Sequence, residues 1–252
     1  MPSDNAIFRA FGKRIPDNEG IIDEAFNSLP TEQRSAQYIK DHFSSLVSQI
    51  EDNAHRIYRT HETSIGSEVL RDFFTVDGTQ IPRPEALGNI IQASFGDLNG
   101  FFLSLSQSRR TRAGKAFEII IRKLFKSLSY PFDEQIIING KPDFLLPGEA
   151  HYRRHATDCI IFTAKRTLRE RWRQIVTEGT RGHGFFLATI DEDVSSNGLA
   201  EMNDNRIYLV TPDHIKSSIE HYRSAPNVIS FEAFFRQQLD PAMQRWRENG
   251  II

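Results

Sequence analysis

Apolar positions in the first half of the chain recur at the three- and four-residue spacing of amphipathic helices. This spacing predicts a helix over residues 31–58, and another over 85–94 after a break marked by Asp-Gly and Pro-Arg-Pro. The pattern is clearest over 111–127, where apolar residues form one continuous face. Residues 1–20 hold two prolines and two glycines, so we expect them to be irregular.

The second half alternates short β-type runs with helical segments. Residues 135–138 lead into Asn-Gly, a hairpin turn signal, and 142–146 are the expected return strand. The apolar run 159–163 has the character of a buried central strand. Two further strands are expected at 184–190 and 207–211, and two further helices at 167–177 and 231–247.

This order of elements predicts an α/β protein with a central mixed sheet flanked by helices. We expect residues 1–107 to form a helical N-terminal region. Residues 108–252 are expected to form the core that carries the chemistry.

Composition limits the possible functions. The chain has 252 residues, of which 39% are hydrophobic, enough for a real core. No apolar run approaches the roughly 18 residues of a membrane helix, and the N-terminus has no apolar signal-peptide core. The single cysteine, Cys159, excludes a disulfide framework. We therefore expect a cytoplasmic protein with no membrane contact.

Charge is distributed unevenly along the chain. Residues 1–100 carry 9 Lys/Arg and 15 Asp/Glu, residues 101–175 carry 15 and 7, and residues 176–252 carry 7 and 11. A basic middle section between two acidic ones suits a polyanionic partner such as DNA. A basic face that only contacts solvent is the alternative.

One carboxylate and one lysine are expected at the same sheet edge. Asp143 begins a short strand after the hairpin, and Lys165 follows the apolar strand. An aspartate beside a lysine at strand ends can bind a divalent cation and position a water molecule. The same two residues could equally form a plain salt bridge.

Two further carboxylates belong to the elements around that edge. Glu118 lies on the helix before the hairpin, and Glu178 lies 13 residues after Lys165. Together with Asp143 they form the kind of set found in metal-dependent nucleases. The alternatives are a helical ion pair of Glu118 with Arg122 and a solvated position for Glu178.

A basic run follows the lysine directly, since five of the nine residues 165–173 are Lys or Arg. Within it, Arg169, Glu170 and Arg171 can converge on one ligand if the tip of a helix points into a DNA groove. Arginine donates two hydrogen bonds to guanine, and glutamate accepts one from cytosine, so this trio matches G·C pairs. Local ion pairs on a charged helix are the alternative.

The segment 163–174, with Lys141-Pro142-Asp143 and the Arg-Ala-Gly at 112–114 followed by Glu118, resembles EcoRII/PspGI-like type II restriction endonucleases. These enzymes belong to the PD-(D/E)xK nuclease superfamily. The superfamily pattern places an acid where Ala164 stands. This subgroup moves that acid to the following helix, which corresponds to Glu178.

The resemblance implies a Mg²⁺-dependent homodimer that cuts double-stranded DNA at a palindromic site with a CC/GG core (CCGG, CCNGG or CCWGG). It implies that Asp143 and Glu178 bind the metal, that Lys165 acts on the reacting phosphate, and that Glu118 assists. Some members flip a base onto an aromatic ring, for which Arg56 and Tyr58 are candidates. The alternative is that these two residues only form part of a helix surface.

Two other functions stay open at this point. One is a structure-selective repair or junction nuclease of the same superfamily, and the other is a DNA-binding protein without catalysis. No glycine-rich phosphate loop is present, so we expect no nucleotide cofactor.

Overall fold

The structure is a computed structural model that describes residues 5–75, 84–138, 140–168 and 184–252. Within these ranges, no helix is long and apolar enough to cross a membrane.

The N-terminal part of the described chain is helical. Its helices are α1 (Ala6–Arg14), α2 (Asn18–Asn27), α3 (Ala36–Asp41), α4 (Phe43–Phe74), α5 (Pro84–Ala93) and α6 (Phe95–Ser127). Helices α1 and α2 both pack against α4, and all three helices pack against α6.

The expectation that residues 1–20 are irregular is wrong. The Asn5 side chain accepts a hydrogen bond from the Phe8 N–H and starts α1, and Asp17 accepts from the Gly20 N–H and starts α2. Such caps satisfy backbone donors that the first helical turn leaves free. Pro16 lies between the two helices, where it disturbs neither.

The helix predicted over 31–58 is divided. Residues Thr31–Arg34 form a 3₁₀ turn, and the Ser35 side chain then caps α3 by accepting from the Tyr38 N–H. Helix α4 starts anew at Phe43 and continues well past residue 58. Helix α5 confirms the prediction at 85–94, and α6 starts 16 residues before the predicted helix, so it crosses the expected boundary at residue 107.

The second part is built on a six-stranded sheet in the order β1-β2-β3-β4-β5-β6. The first three strands are antiparallel, and the pairs from β3 to β6 are parallel, so the sheet is mixed as predicted. Its strands are β1 (Asp133–Glu134), β2 (Phe144–Leu146), β3 (Ile160–Ala164), β4 (Gly184–Ala188), β5 (Ile207–Thr211) and β6 (Val228–Ser230).

The predicted hairpin exists, but its first strand is misplaced. Strand β1 ends at Glu134, and Gln135 has a left-handed φ of 56° that ends the extended chain. Ile136 and Ile138 pack against a hydrophobic cluster on the sheet instead of continuing the strand. The apolar composition of this segment predicted a strand, but its isoleucines are buried by tertiary packing without forming one.

The remaining helices flank the sheet. They are α7 (Glu149–His155), α8 (Ser196–Asp204), α9 (Asp213–Ser218), α10 (Glu220–Ser224), α11 (Phe231–Phe234) and α12 (Asp240–Glu248), with a π-helical turn at Phe235–Leu239. They confirm the C-terminal helical prediction. The helix predicted at 167–177 lies almost entirely outside the described residues.

Side chains alternate across the sheet and bury both faces. On one face, Phe144 and Phe162 contact Phe125 of α6, within a core that also includes α4, α11 and α12. On the other face, Leu145 and Ile161 share a cluster with α8, α9 and α10. The long helix α6 is thereby fixed against the sheet beside the start of β2.

Candidate active site

Asp143 and Lys165 meet at one edge of the sheet. Strand β2 runs antiparallel to β3 with Phe144 opposite Phe162, so the residue before β2 lies beside the residue after β3. Lys165 Nζ donates to Asp143 Oδ2 at 2.9 Å. The Lys165 N–H also donates to the Ala188 carbonyl at 2.9 Å, which extends the parallel ladder by one residue and fixes the lysine backbone.

The Asp143 carboxylate is held rigidly. It is 4% exposed, whereas the Lys165 side chain is 41% exposed and reaches toward solvent. Asp143 Oδ2 also accepts from the Ala164 N–H at 2.8 Å, and Oδ1 accepts from Gln135 Nε2 at 2.9 Å. A salt bridge does form between aspartate and lysine, but it lies in a larger polar cluster.

Glu118 belongs to that cluster. It projects from α6, and its Oε1 accepts a hydrogen bond of 3.2 Å from the same Gln135 Nε2 that binds Asp143. Burial and then the nearby Asp143 charge raise the pKa of Glu118 above its usual value, against a smaller opposing effect of Lys165. The structure thus brings together three of the four predicted catalytic residues.

The alternative interpretation of Glu118 is not observed. Arg122, four residues later on α6, pairs with Glu19 and Glu134 instead. Glu118 therefore faces another carboxylate without an arginine partner in the described chain, an arrangement that is unfavourable unless a cation or a proton balances it.

Sequence reasoning missed Gln135, because its run of apolar neighbours predicted a plain strand. It also missed Arg166, whose Nε donates to Glu51 Oε1 at 2.6 Å and ties the lysine segment to α4. Arg166 lies in the basic run that the sequence analysis used, but its contact with α4 depends on tertiary packing that the run does not specify.

A cavity of about 460 Å³ lies next to this segment. Its wall includes Arg166, His55, Tyr58 and the arginines of α6 at 109, 110 and 112. The cavity thus combines four arginines and an aromatic ring with the acidic residues Glu51 and Asp52, and Arg166 in its wall directly follows Lys165.

The two base-flipping candidates differ in position. Tyr58 lines the cavity, but its hydroxyl donates to buried Glu62 at 2.8 Å and Arg112 lies over its ring at 5.2 Å. Burial, followed by the contact with Glu62, raises the pKa of Tyr58 to about 12. Arg56 is exposed, is not among the cavity residues, and its guanidinium hydrogen-bonds to Asn53.

The recognition trio and the relocated acid lie outside the described residues. These are Arg169, Glu170, Arg171 and Glu178. The last described residue before them is Leu168, which is buried and whose N–H donates to Asp191 Oδ2 at 2.6 Å. The basic run 165–173 is thus anchored at Leu168, directly before the undescribed residues.

The residues present fit a hard divalent cation. Asp143 and Glu118 supply carboxylate oxygens, the donors that Mg²⁺ and Ca²⁺ prefer. Outside the segments the structure leaves undescribed, no group of three or more His, Cys, Asp or Glu residues is arranged to hold a metal. Completion of the ligand set therefore requires Glu178, water or the DNA phosphate.

A buried aspartate and a lysine at adjacent strand ends of a mixed sheet, with a glutamate from the preceding helix, define the class of PD-(D/E)xK-type nucleases. Residues 82–235 match the family described as EcoRII C terminal, which is more than half of the chain. The chain belongs to this family, and its predicted resemblance to EcoRII/PspGI-like type II restriction endonucleases is confirmed.

Two curated relatives agree with this assignment. The type II restriction enzyme SsoII of Shigella sonnei is 24% identical over 233 residues, covering 87% of this chain and 76% of SsoII. The type II restriction enzyme EcoRII of Escherichia coli is 34% identical over 139 residues, which is 50% of this chain and 34% of EcoRII.

Solved structures share the fold. Metal-depleted Ecl18kI in complex with uncleaved DNA has a TM-score of 0.80 at 25% identity, covering 98% of this chain and 86% of Ecl18kI. The complex of the restriction endonuclease PspGI with substrate DNA has a TM-score of 0.69 at 22% identity, covering 94% and 96%. The predicted restriction-endonuclease-like α/β fold is confirmed.

Proposed function

We propose that this protein is a Mg²⁺-dependent endonuclease that hydrolyses phosphodiester bonds of duplex DNA at a short palindromic site with a CC/GG core. The observation that carries the proposal is the contact of 2.9 Å between Lys165 Nζ and buried Asp143, with Glu118 held to the same aspartate through Gln135. This is a lysine and carboxylates around one point that solvent can reach.

In this proposal, Asp143 and Glu178 hold the metal, and Glu118 acts through its water shell. The bound cation would activate water and offset negative charge on the phosphate. Lys165 orients the attacking water and stabilises the charge that develops on the phosphate oxygens. Its partial exposure lets the ammonium reach a phosphate while Asp143 stays fixed behind it.

Arg169, Glu170 and Arg171 are proposed to contact G·C base edges. They follow Leu168, whose backbone N–H is held by Asp191. The proposed base-contacting residues therefore begin only a few residues after Lys165, which acts on the reacting phosphate in this proposal. The cavity beside Arg166 is a proposed site for a flipped base, with Tyr58 in its wall and Arg56 outside it. Because Arg112 covers part of the Tyr58 ring, a base would have to contact the remaining ring surface.

We further propose that the protein is a homodimer in the bacterial or archaeal cytoplasm, since a palindromic target calls for a two-fold protein. Exposed apolar side chains on α5 and α6 support association of the N-terminal region: Ile91 is 43% exposed, Phe95 66% and Phe102 55%. In this proposal residues 1–107 serve dimerisation and DNA contacts, and 108–252 form the nuclease core.

Incubation with a sequenced plasmid in Mg²⁺, followed by mapping of the ends, tests the proposal. We expect discrete fragments whose ends all lie at CC…GG sequences. Ends scattered along the plasmid, or cuts confined to branched DNA, would contradict site-specific restriction. Sedimentation of the wild type beside Phe95→Glu tests the dimer separately, because a charge on this exposed apolar face should lower the dimer fraction.

A further inference from the structure

One side-chain amide lies between the two described carboxylates of the site. Gln135 Nε2 donates to Asp143 Oδ1 at 2.9 Å and to Glu118 Oε1 at 3.2 Å. A primary amide has two hydrogens on this nitrogen, one for each carboxylate. The amide therefore joins two like charges that would otherwise repel each other.

The position of this amide is set by backbone pairing between Gln135 and Asp143. The Gln135 N–H donates to the Asp143 carbonyl at 3.2 Å, which continues the β1–β2 pairing by one residue. Residues opposite each other on antiparallel strands direct their side chains to the same face, about 5 Å apart. The left-handed φ of 56° then ends the strand, so Gln135 is the last residue that this strand can present to the site.

The carboxylates keep free acceptor positions while the amide is in place. Each carboxylate oxygen can accept two hydrogen bonds. Asp143 Oδ2 uses both, with Ala164 and Lys165, whereas the described contacts of Oδ1 are limited to Gln135. Glu118 is contacted by Gln135 only through Oε1. A cation can thus bind at the open positions without displacing the amide.

We propose that Gln135 is a positioning residue of the metal site, which holds Asp143 and Glu118 ready before the cation binds. This inference rests on the proposed function of that site. Without the amide, the two carboxylates separate, and the cation must bring them together again at the cost of their conformational freedom. Partners that orient metal ligands typically contribute about 10- to 100-fold to metal affinity or activity.

Gln135→Leu and Gln135→Met test this role, because both remove the donor and keep a similar volume. Gln244→Leu is the matched control, since it removes a carboxamide-to-carboxylate hydrogen bond of 2.8 Å to Glu248 on an exposed helix. Two quantities are measured: Mn²⁺ binding to the DNA-free protein, followed by the EPR signal of free Mn²⁺, and the Mg²⁺ dependence of plasmid cleavage. Thermal unfolding in EDTA checks that each variant is folded.

For both Gln135 variants we expect Mn²⁺ affinity to fall, and the half-saturating Mg²⁺ concentration to rise, by about 10- to 100-fold. The cleavage rate at saturating Mg²⁺ should stay close to that of the wild type, and Gln244→Leu should change neither quantity. Unchanged or tighter Mn²⁺ binding by folded Gln135 variants would overturn the proposal, as would a loss of rate without a shift in Mg²⁺ dependence. A wild type that binds Mn²⁺ more tightly than the Gln135 variants but cuts no DNA would overturn the proposed function alone.

Discussion

Two carboxylates on neighbouring helices, one buried and one half-buried, have opposite surroundings. Glu62 of α4 is 5% exposed and accepts two hydrogen bonds of 2.8 Å from Arg109 and a third from Tyr58. Burial raises its pKa, but the bonds from Arg109 and Tyr58 outweigh burial, so the pKa of Glu62 lies below its usual value. Glu118 of α6 instead lies near Asp143, and burial together with that charge raises its pKa.

The comparison shows how to tell a structural carboxylate from a functional one. The charge of Glu62 is balanced within the fold and holds α4 against α6. Among the described residues, the charge of Glu118 and Asp143 is balanced by Lys165, whose side chain is partly exposed and whose Nζ donates to Asp143. Two neighbouring carboxylates lower the stability of the folded protein unless a bound ligand offsets their repulsion. Such an unfavourable arrangement is typical of functional sites.

The largest expected effect is that of Lys165→Ala, which removes the one cation that the described residues place at the unbalanced site. Plasmid cleavage should fall by at least about 100- to 1,000-fold, the range for loss of a preorganised charge-stabilising group. Specific binding in Ca²⁺, measured by gel shift, should stay nearly intact because the lysine acts on the phosphate. Cleavage within about tenfold of the wild type would remove Lys165 from the active site.

Asp143→Ala and Glu178→Ala should also stop cleavage, because each removes a proposed metal ligand. Plasmid cleavage in Mg²⁺ is the measurement, and a gel shift in Ca²⁺ checks that each variant still binds DNA. If Glu178→Ala cuts normally while Asp143→Ala does not, the assignment of Glu178 as the relocated acid is wrong. Glu118 then becomes the better candidate for the second metal ligand.

Substitution of Glu62, whose charge is balanced within the fold, should change the stability of the protein rather than its cleavage activity. We expect Glu62→Gln to lower the free energy of unfolding by about 1.5–3 kcal/mol, since the guanidinium of Arg109 loses a charged partner and one of its two acceptor oxygens. Glu68→Gln on the same helix is the control, because Glu68 is exposed and its contact with Arg14 spans 4.0 Å. Urea unfolding at pH 7 measures both, and equal effects would contradict a special role for Glu62.

The lowered pKa of Glu62 also fixes the sign of a pH effect. A depressed carboxyl pKa contributes stability above the pKa of the unfolded chain, and this contribution is lost as pH falls through the folded pKa. The difference in unfolding free energy between the wild type and Glu62→Gln should therefore shrink as pH falls from 7 toward 3. A difference that is constant over this range would contradict the assignment.

The sequence predicted the sheet strands best where apolar runs are buried on both sides. Strand β5 occupies the predicted residues 207–211, and β3 is shifted by one residue. Helix starts in the N-terminal part were missed because they depend on the caps Asn5 and Asp17 rather than on apolar spacing.

The site was predictable only in part. Asp143, Lys165 and Glu118 could be found because strand ends and a helical face bring them together. Gln135 could not be found in this way. Its proposed role depends on its own left-handed backbone conformation, which ends β1, and on contacts with Glu118 and Asp143 from other elements. Pairings of this kind depend on register, which an apolar run does not specify.

A smaller effect is expected for Arg171→Ala, which should weaken specific binding by about 1–3 kcal/mol, the range for one good base contact. Binding to unrelated DNA should change far less, since phosphate contacts dominate it. Arg173→Ala is the control, because a residue two positions later on a helix lies about 160° away. Equilibrium binding to a CC…GG duplex and a scrambled one, at one salt concentration, compares them. Equal losses on both duplexes would make Arg171 a phosphate contact.

The most direct test of the contrast between the two carboxylate sites is plasmid cleavage by three proteins, first in EDTA and then after addition of Mg²⁺. We predict that the wild type and Glu62→Gln, assayed at a temperature where both are folded, cut only after Mg²⁺ is added and give the same fragments. Asp143→Asn should stay folded and cut in neither condition. Cleavage in EDTA, or undiminished cleavage by Asp143→Asn, would contradict the proposal that the unbalanced carboxylates form the metal-dependent active site.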